Sequence, residues 1–204
     1  TFPPKNDSDP PLPDNVLQIS TFIGYAYFLA WSISFYPHLI LNVSRKTTIG
    51  LSADYALLNV IGFYCYAIYT MSFYYNEDIK EAYKEEHDGL GNKVTWSDVL
   101  FAGHAVLLSN VGLAQVIYYD GIFGRHAKQK ISNFCFIFSC CILSFIVCFF
   151  LIIAITGGTA NSEGGSAGGS GLFTYLEFIY VLSCIKMLIT LIKYTPQLYN
   201  NHIR

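Results

Sequence analysis

Two lysines stand inside a long apolar stretch near the end of the chain. Lys186 and Lys193 are seven residues apart within residues 172–199, so both lie on one face if this stretch is a helix. On membrane-insertion scales, a lysine at the centre of a membrane span costs about 2.5–3.5 kcal/mol of insertion free energy. Either the ammonium groups extend to the membrane surface or they line a cavity, where they would suit a solute bearing carboxylates. The same face continues with further polar side chains: Thr190, Gln197 and Asn201.

Two groups that could carry a proton lie in the apolar stretch 97–119. Asp98 opens this stretch, and an acid in the first turn of a helix is favoured by the helix dipole. A partly buried carboxyl could also load a proton from an acidic compartment and release it on the other side. His104 is a rival titratable group, but it shares a helical face with Gln115, whereas Asp98 shares another with Ser109. The two therefore belong to different sites.

Aromatic and amide side chains in the first two apolar stretches could complete a cavity. Asn59 and Tyr66 are seven residues apart and could offer hydrogen bonds from one face, although such polar residues also hold membrane helices together. An aromatic stripe on a helix is often only packing, but here it coincides with a proline. The stripe contains Trp31, Phe35, His38 and Asn42.

Two prolines occupy equivalent positions in a short internal repeat. Residues 36–45 (YPHLILNVSR) align with residues 195–204 (TPQLYNNHIR) at a constant offset, which pairs Pro37 with Pro196. A proline within a helix removes a backbone donor and introduces a kink, and a single one is readily tolerated in a membrane helix. Two at matching positions favour paired hinges of the kind that alternating access could use.

Hydrophobic segments dominate the sequence and must position these residues. The chain has 204 residues, of which 53% are hydrophobic and 13% charged, and its mean hydropathy is +0.40. Leu17 to Leu41 and Ile131 to Ala160 contain no Asp, Glu, Lys or Arg, and each exceeds the roughly 20 residues that span a bilayer. We therefore predict an all-α, polytopic membrane protein. Five predicted spans cover residues 17–41, 50–75, 97–119, 131–156 and 172–199.

Charges in the loops predict the orientation of these spans. Basic residues follow the first and third spans, whereas the loop after the second span is more acidic than basic. Because basic loops face the cytosol, the N-terminus is predicted to face the lumen or exterior. Asn6 begins a glycosylation sequon on that side, so the chain could be a glycoprotein.

Several classes of function are excluded or disfavoured by composition. With 12 basic residues and a net charge of −2, the chain lacks the basic patch of a nucleic-acid-binding protein. It contains no phosphate loop, nucleophile elbow or metal-spaced histidine and cysteine set, so we predict no enzyme activity and no metal site. The six cysteines lie within apolar stretches and are better explained as packing residues than as disulfides.

Three segments resemble the PQ-loop family of membrane carriers, specifically its lysosomal cystine/proton symporters. They are AWSISFYPHLILNVSRKTTIGLSADYALLNVIGF (30–63), SDVLFAGHAV (97–106) and SCIKMLITLIKYTPQLYNN (183–201). The resemblance covers about residues 17–201. It implies seven transmembrane helices arranged as two three-helix repeats around a linker helix, of which this chain holds five. The implied divisions are a Pro-rich lumenal lead-in (1–15), the first repeat (16–120), the linker helix (121–156), a Gly/Ser-rich loop (157–171) and the first helix of the second repeat (172–204).

The resemblance also implies roles for individual residues. Asp98 matches the proton-coupling aspartate, protons serve as the coupling ion, and no other cofactor is implied. Pro37-His38 stands where Pro-Gln is usual, so His38 could titrate at a position that is ordinarily an amide. The residues implied to bind cystine are Trp31, Phe35, Asn59, Lys186, Lys193, Tyr194, Gln197 and Asn201.

The expected function is export of cystine with protons across the lysosomal membrane. The chain starts without Met and stops after a polar, Pro-containing stretch, so we expect it to be part of a longer protein, truncated at both ends. The Gly-rich stretch 157–171 fits either a natural loop or an inserted linker. Two alternatives remain: a PQ-loop carrier of another amino acid, and a non-transporting membrane scaffold in nutrient sensing that uses the basic segments 43–46 and 125–130. A carrier's partners would be its small solute and membrane lipid.

Overall fold

A computed structural model describes residues 14–121, 129–156 and 174–203, without the side chains of Asp14, Leu17 and residues 195–203. These described residues are helical and contain no strand, which confirms the predicted all-α class. The helices are α1 (Asp14–Ser34), α2 (Tyr36–Arg45), α3 (Ala53–Tyr75), α4 (Glu77–Glu86), α5 (Trp96–Gln115, continued by one π-helical turn over Val116–Asp120), α6 (Asn133–Thr156) and α7 (Tyr175–Ile203).

Among the described residues, four helices are long and apolar enough to cross a membrane. They are α3, α5 with its π-helical turn, α6, and Tyr175–Tyr194 of α7. The most apolar of them is α6, with a mean hydropathy of 3.0, and most of its surface is exposed, as expected where a helix meets lipid. The chain is therefore a polytopic membrane protein. Its remaining predicted span, residues 17–41, corresponds to the pair α1 and α2.

The first predicted span is interrupted at Phe35. Helix α1 ends at Ser34, α2 begins at Tyr36, and Pro37 lies in the first turn of α2. Proline is well suited to this position because the N–H that it lacks would have no partner within the helix. The interruption lies where the sequence predicted a proline hinge. Movement about it stays a prediction.

Helix α3 is the central element, packed between α5 and α7. Its apolar face joins the main core cluster with α6 and α7, through Leu58, Ile61, Cys65, Cys135, Leu182 and Ile189. The close approach of α3 and α7 depends on Gly62, where an added Cβ would lie 3.2 Å from Cγ2 of Ile189. Small residues permit such approach between membrane helices.

Replacing Gly62 by valine is expected to separate α3 from α7. The added methyl groups would collide with Ile189, which is 1% exposed, and overpacking of this kind costs about 1–3 kcal/mol. The melting temperature in detergent should fall. Gly103→Ala on α5 is the matched control, because its Cβ would meet nothing within 4 Å and alanine favours a helix by up to about 1 kcal/mol. Equal melting temperatures for both variants would contradict this packing.

A buried polar cluster closes the end of the bundle that carries Arg45, Lys46 and Lys130, here called the basic end. At its centre is Asp120, which is 4% exposed. Its carboxylate accepts hydrogen bonds from the Thr47 hydroxyl at 2.9 Å, from the Thr48 amide at 2.6 Å and from the Thr48 hydroxyl. Buried carboxylates need such donors, and this one ties the α2–α3 loop to the end of α5.

Gln129 and Asp54 extend this cluster to the start of α6. Gln129 donates from Nε2 to the Thr48 carbonyl oxygen at 2.9 Å and accepts from the Ala53 amide at 3.1 Å. Asp54 accepts from the Ser132 amide at 2.8 Å, immediately before α6. The ends of α2, α3, α5 and α6 are thus joined by one set of hydrogen bonds, which we call the basic-end clasp.

Candidate solute-binding site

Lys193 points into the helix bundle and not into lipid. It lies on α7, is 9% exposed, and its Nζ donates to Oδ1 of Asn59 on α3 at 2.8 Å. The Lys193 side chain therefore neither extends to the membrane surface nor faces lipid. The seven-residue spacing in the sequence correctly placed it on the inward face of α7, and Asn59 lies opposite it, as expected for two cavity residues.

Aromatic rings surround the Lys193 ammonium. Nζ lies 5.6 Å from the ring centre of Tyr55, 5.5 Å from that of Phe63 and 5.2 Å from that of Tyr194. The negative face of an aromatic ring attracts a cation, and the attraction strengthens when water is excluded. Three rings and one amide oxygen thus stabilise a charge that has no carboxylate within salt-bridge distance among the described residues.

Lys186 lies two helical turns earlier on α7 and is half-buried. Its Nζ lies 5.2 Å from the ring centre of Tyr66 on α3. It is close enough to Lys193 for their charges to interact. Two ammonium groups therefore face α3 along one stripe, each against an aromatic ring, and together they would attract a solute with more than one carboxylate.

Phe101 of α5 is the centre of an aromatic wall beside the lysines. It is 7% exposed, and the ring centres of five neighbours lie 6.1–6.5 Å away. Trp31 and Phe35, predicted from the sequence, are two of these neighbours. Phe63 and Tyr66 connect the wall to Lys193 and Lys186. The five neighbours are Tyr27, Trp31, Phe35, Phe63 and Tyr66.

Sequence reasoning missed Phe101, Phe63 and Tyr55. Each is a hydrophobic residue among many, and only the packing of α3 against α5 and α7 shows that they border the lysines. A weak signal existed in helical periodicity, because Tyr55 and Phe63 each lie four residues from Asn59 and therefore share its face.

Asp98 caps the start of α5. Its Oδ2 accepts from the Thr95 amide at 2.8 Å and from the Thr95 hydroxyl at 2.7 Å, which forms a capping box. Asp98 therefore has the role expected of an acidic residue in the first turn of a helix. Asp98 also lies close enough to Tyr66 for its charge to act on that phenol, and Tyr66 holds Lys186 on its ring. One tyrosine therefore lies between the candidate proton carrier and the lysine stripe.

The other predicted site residues are distributed differently. Tyr194 is half exposed and contacts both Lys193 and the ring of Tyr55, 5.9 Å away. His38 is exposed on α2, away from the lysine stripe. Asn42 packs α2 against α5 by donating to Oε1 of Gln115 at 2.9 Å. Asn6 and the side chains of Pro196, Gln197 and Asn201 lie outside the described part of the chain.

Comparison with known proteins shows what this chain is similar to. Residues 19–79 match the PQ loop repeat family, and this range contains Trp31, Phe35 and Asn59. Over 182 residues the chain is 37% identical to a cystinosin homolog of Caenorhabditis briggsae. The chain is thus similar to a cystinosin homolog over most of its own length. It is also 35% identical over 184 residues to cystinosin of Bos taurus, and 25% identical over 194 residues to a cystine transporter of Saccharomyces cerevisiae.

The similarity covers most of this chain but only part of the cystinosins. The alignments include 89%, 90% and 93% of the chain, in the same order, and 40%, 44% and 69% of those relatives. The chain thus spans less than half the length of the two cystinosins.

Proposed function

We propose that this chain forms the solute-binding part of a carrier that moves cystine out of the lysosome together with protons. The observation that carries the proposal is the buried Lys193, held by Asn59 and three aromatic rings on the inward face of α7. The names of the relatives, cystinosin and cystine transporter, supply the solute. The proposal includes a multi-pass lysosomal location with the N-terminus in the lumen.

The chemistry of cystine suits the contacts that surround Lys193. Each end of cystine carries one carboxylate and one ammonium group. A carboxylate would replace Oδ1 of Asn59 as the acceptor for Lys193, and the released amide oxygen could then accept from the ammonium group of the same solute end. The nearby rings of Tyr55 and Phe63 favour that cation in addition. The second carboxylate would pair with Lys186, which already faces the same side of α3.

The two lysines disfavour a cationic solute. An arginine or lysine substrate would bring a third positive charge to a stripe that has no carboxylate partner among the described residues, and such like charges repel strongly when desolvated. Unlabelled arginine should therefore compete poorly with labelled cystine for uptake. Strong competition by arginine would favour a PQ-loop carrier with another specificity.

Asp98→Asn is expected to abolish the dependence of uptake on the proton gradient. Asparagine can still accept from the Thr95 amide, so the helix start is kept while the titratable carboxyl is lost. The measurement is uptake of labelled cystine into acidic-outside vesicles containing the complete carrier, before and after the gradient is collapsed. We expect a gradient-driven stimulation in the unmodified protein and none in the variant.

Asp98→Ala is the companion variant that separates capping from coupling. It removes the carboxyl and the cap together, at an additional cost of about 1 kcal/mol in stability. Both variants should transport without coupling, but only alanine should lower the melting temperature. Gradient-driven uptake that persists in Asp98→Asn would assign Asp98 to capping alone and place the proton elsewhere.

A further inference from the structure

His104 occupies a separate polar position between α1, α2 and α5. Its Nε2 lies 3.0 Å from the hydroxyl oxygen of Tyr36, the first residue of α2. Its ring centre lies 5.7 Å from that of Tyr36 and 6.2 Å from that of Phe28 on α1. The imidazole therefore spans the interruption at Phe35, with one aromatic neighbour on each side of it.

Two polar atoms at this interface lack a hydrogen-bond partner within the described part of the protein. They are Nδ1 of His104 and Oγ of Ser32, both buried, and Ser32 is 6% exposed. Ser32 lies one helical turn after Phe28 and one turn before Tyr36, the two residues whose rings contact His104. Ser32 is therefore on the face of α1 whose Phe28 ring contacts His104. Buried polar groups ordinarily find partners, so these two require an explanation.

We propose that His104 is a second proton-binding site of the carrier, coupled through Tyr36 to the break between α1 and α2. A neutral imidazole has one N–H donor and one acceptor nitrogen, whereas the protonated ring donates from both nitrogens. On protonation, Nε2–H donates to the Tyr36 oxygen and Nδ1–H gains the Ser32 hydroxyl as its acceptor. The only covalent change is the new N–H bond, and the proton comes from water. The inference rests on the proposed proton coupling.

No fixed counter-ion accompanies His104 in the part of the protein that the structure describes. The side chains shown to contact it are Phe28 from α1 and Tyr36 from α2, and Ser32 lies on the same face of α1 as Phe28. None of the three is charged at neutral pH. Among the described residues, no carboxylate lies within salt-bridge distance of the ring. Asp98 precedes it by six residues on a different face of α5 and is engaged by Thr95. Protonation would thus create a new charge beside the helix break and draw Tyr36 and Ser32 toward the ring.

Nuclear magnetic resonance can detect this protonation directly. The complete carrier, labelled at the histidine ring carbons, is titrated over about pH 5 to 8, the range in which imidazoles ordinarily change charge. The resonance that disappears in His104→Gln is expected to titrate. Tyr36→Phe and Ser32→Ala should each lower its midpoint, by about half a pH unit or more, because each removes an acceptor of the protonated ring.

The matched control is His87→Gln, a histidine that stacks on Tyr83 beside α4, far from the helix break. It should leave the His104 titration unchanged. The proposal is overturned if the His104 resonance does not titrate, or if it titrates with the same midpoint in both neighbour variants.

Cystine uptake then distinguishes this site from the proposed function. Between about pH 5 and 8, the pH profile of His104→Gln should be flatter than that of the unmodified carrier, whereas His87→Gln should reproduce the unmodified profile. If cystine uptake depended on pH in the same way in His104→Gln and in the unmodified carrier, His104 would have no role in coupling. A titrating His104 in a carrier that takes up no cystine would overturn the proposed function and leave the protonation site in place.

Discussion

Lys193→Met is expected to lower cystine uptake by about 10- to 100-fold, which corresponds to the roughly 1.5–3 kcal/mol of a hydrogen bond to a charged group. Methionine keeps the length and apolar character of the side chain, so the packing of α7 should survive. The ammonium that would bind a solute carboxylate is lost, and Oδ1 of Asn59 loses its donor. The measurement is the initial rate of labelled cystine uptake at equal expression.

Lys93→Met is the control for this experiment. Lys93 lies exposed between α4 and α5, so the same change in charge and side chain occurs outside the bundle. Uptake by this variant should match that of the unmodified carrier. If Lys193→Met also transported normally, the lysine would serve only to hold α7 against α3, and the proposed carboxylate site would be lost.

Asn59→Asp is expected to lower cystine uptake strongly by supplying Lys193 with a permanent partner. The new carboxylate would occupy the position of Oδ1, 2.8 Å from Nζ, and would form a buried ion pair. A solute carboxylate would then have to displace a charged group and not a neutral amide. The Coulombic attraction between two opposite charges would add to the existing hydrogen bond, so we expect uptake to fall by about 10-fold or more.

Asn59→Ala separates this competition from the simple loss of the amide. Alanine removes the partner of Lys193 without offering a carboxylate, so uptake should fall less than in Asn59→Asp. Uptake by Asn59→Asp that equals or exceeds uptake by Asn59→Ala would show that no solute carboxylate competes for Lys193.

The lysine stripe and the helix break could be predicted because each depends on local sequence. Lys186 and Lys193 stand out as charges in an apolar stretch, and their spacing alone assigns them to one helical face. Pro37 likewise marks its own disruption, since a proline is suited to the first turn of a helix. The structure confirms the inward direction of Lys193 and locates the break at Phe35.

Features that depend on several distant segments could not be predicted in the same way. Asp120 has no local signal of its role, because its partners come from the loop after α2 and from Gln129. Phe101 is one of 16 phenylalanines, and nothing in its local sequence identifies it as the centre of the aromatic wall. For Asp98 the sequence allowed two roles, helix capping and proton transfer. The structure shows the hydrogen bond of the capping role.

The basic-end clasp has a consequence for synthesis of the chain in the cell. Thr48 leaves the ribosome 72 residues before Asp120 and 81 residues before Gln129. During that interval its buried hydroxyl and amide must rely on water or on transient partners. The helices that precede α6 therefore reach their final arrangement only after the start of α6 has been made. A nascent chain that ends before Gln129 should be degraded by quality-control proteases more readily than one that ends just after Gln129.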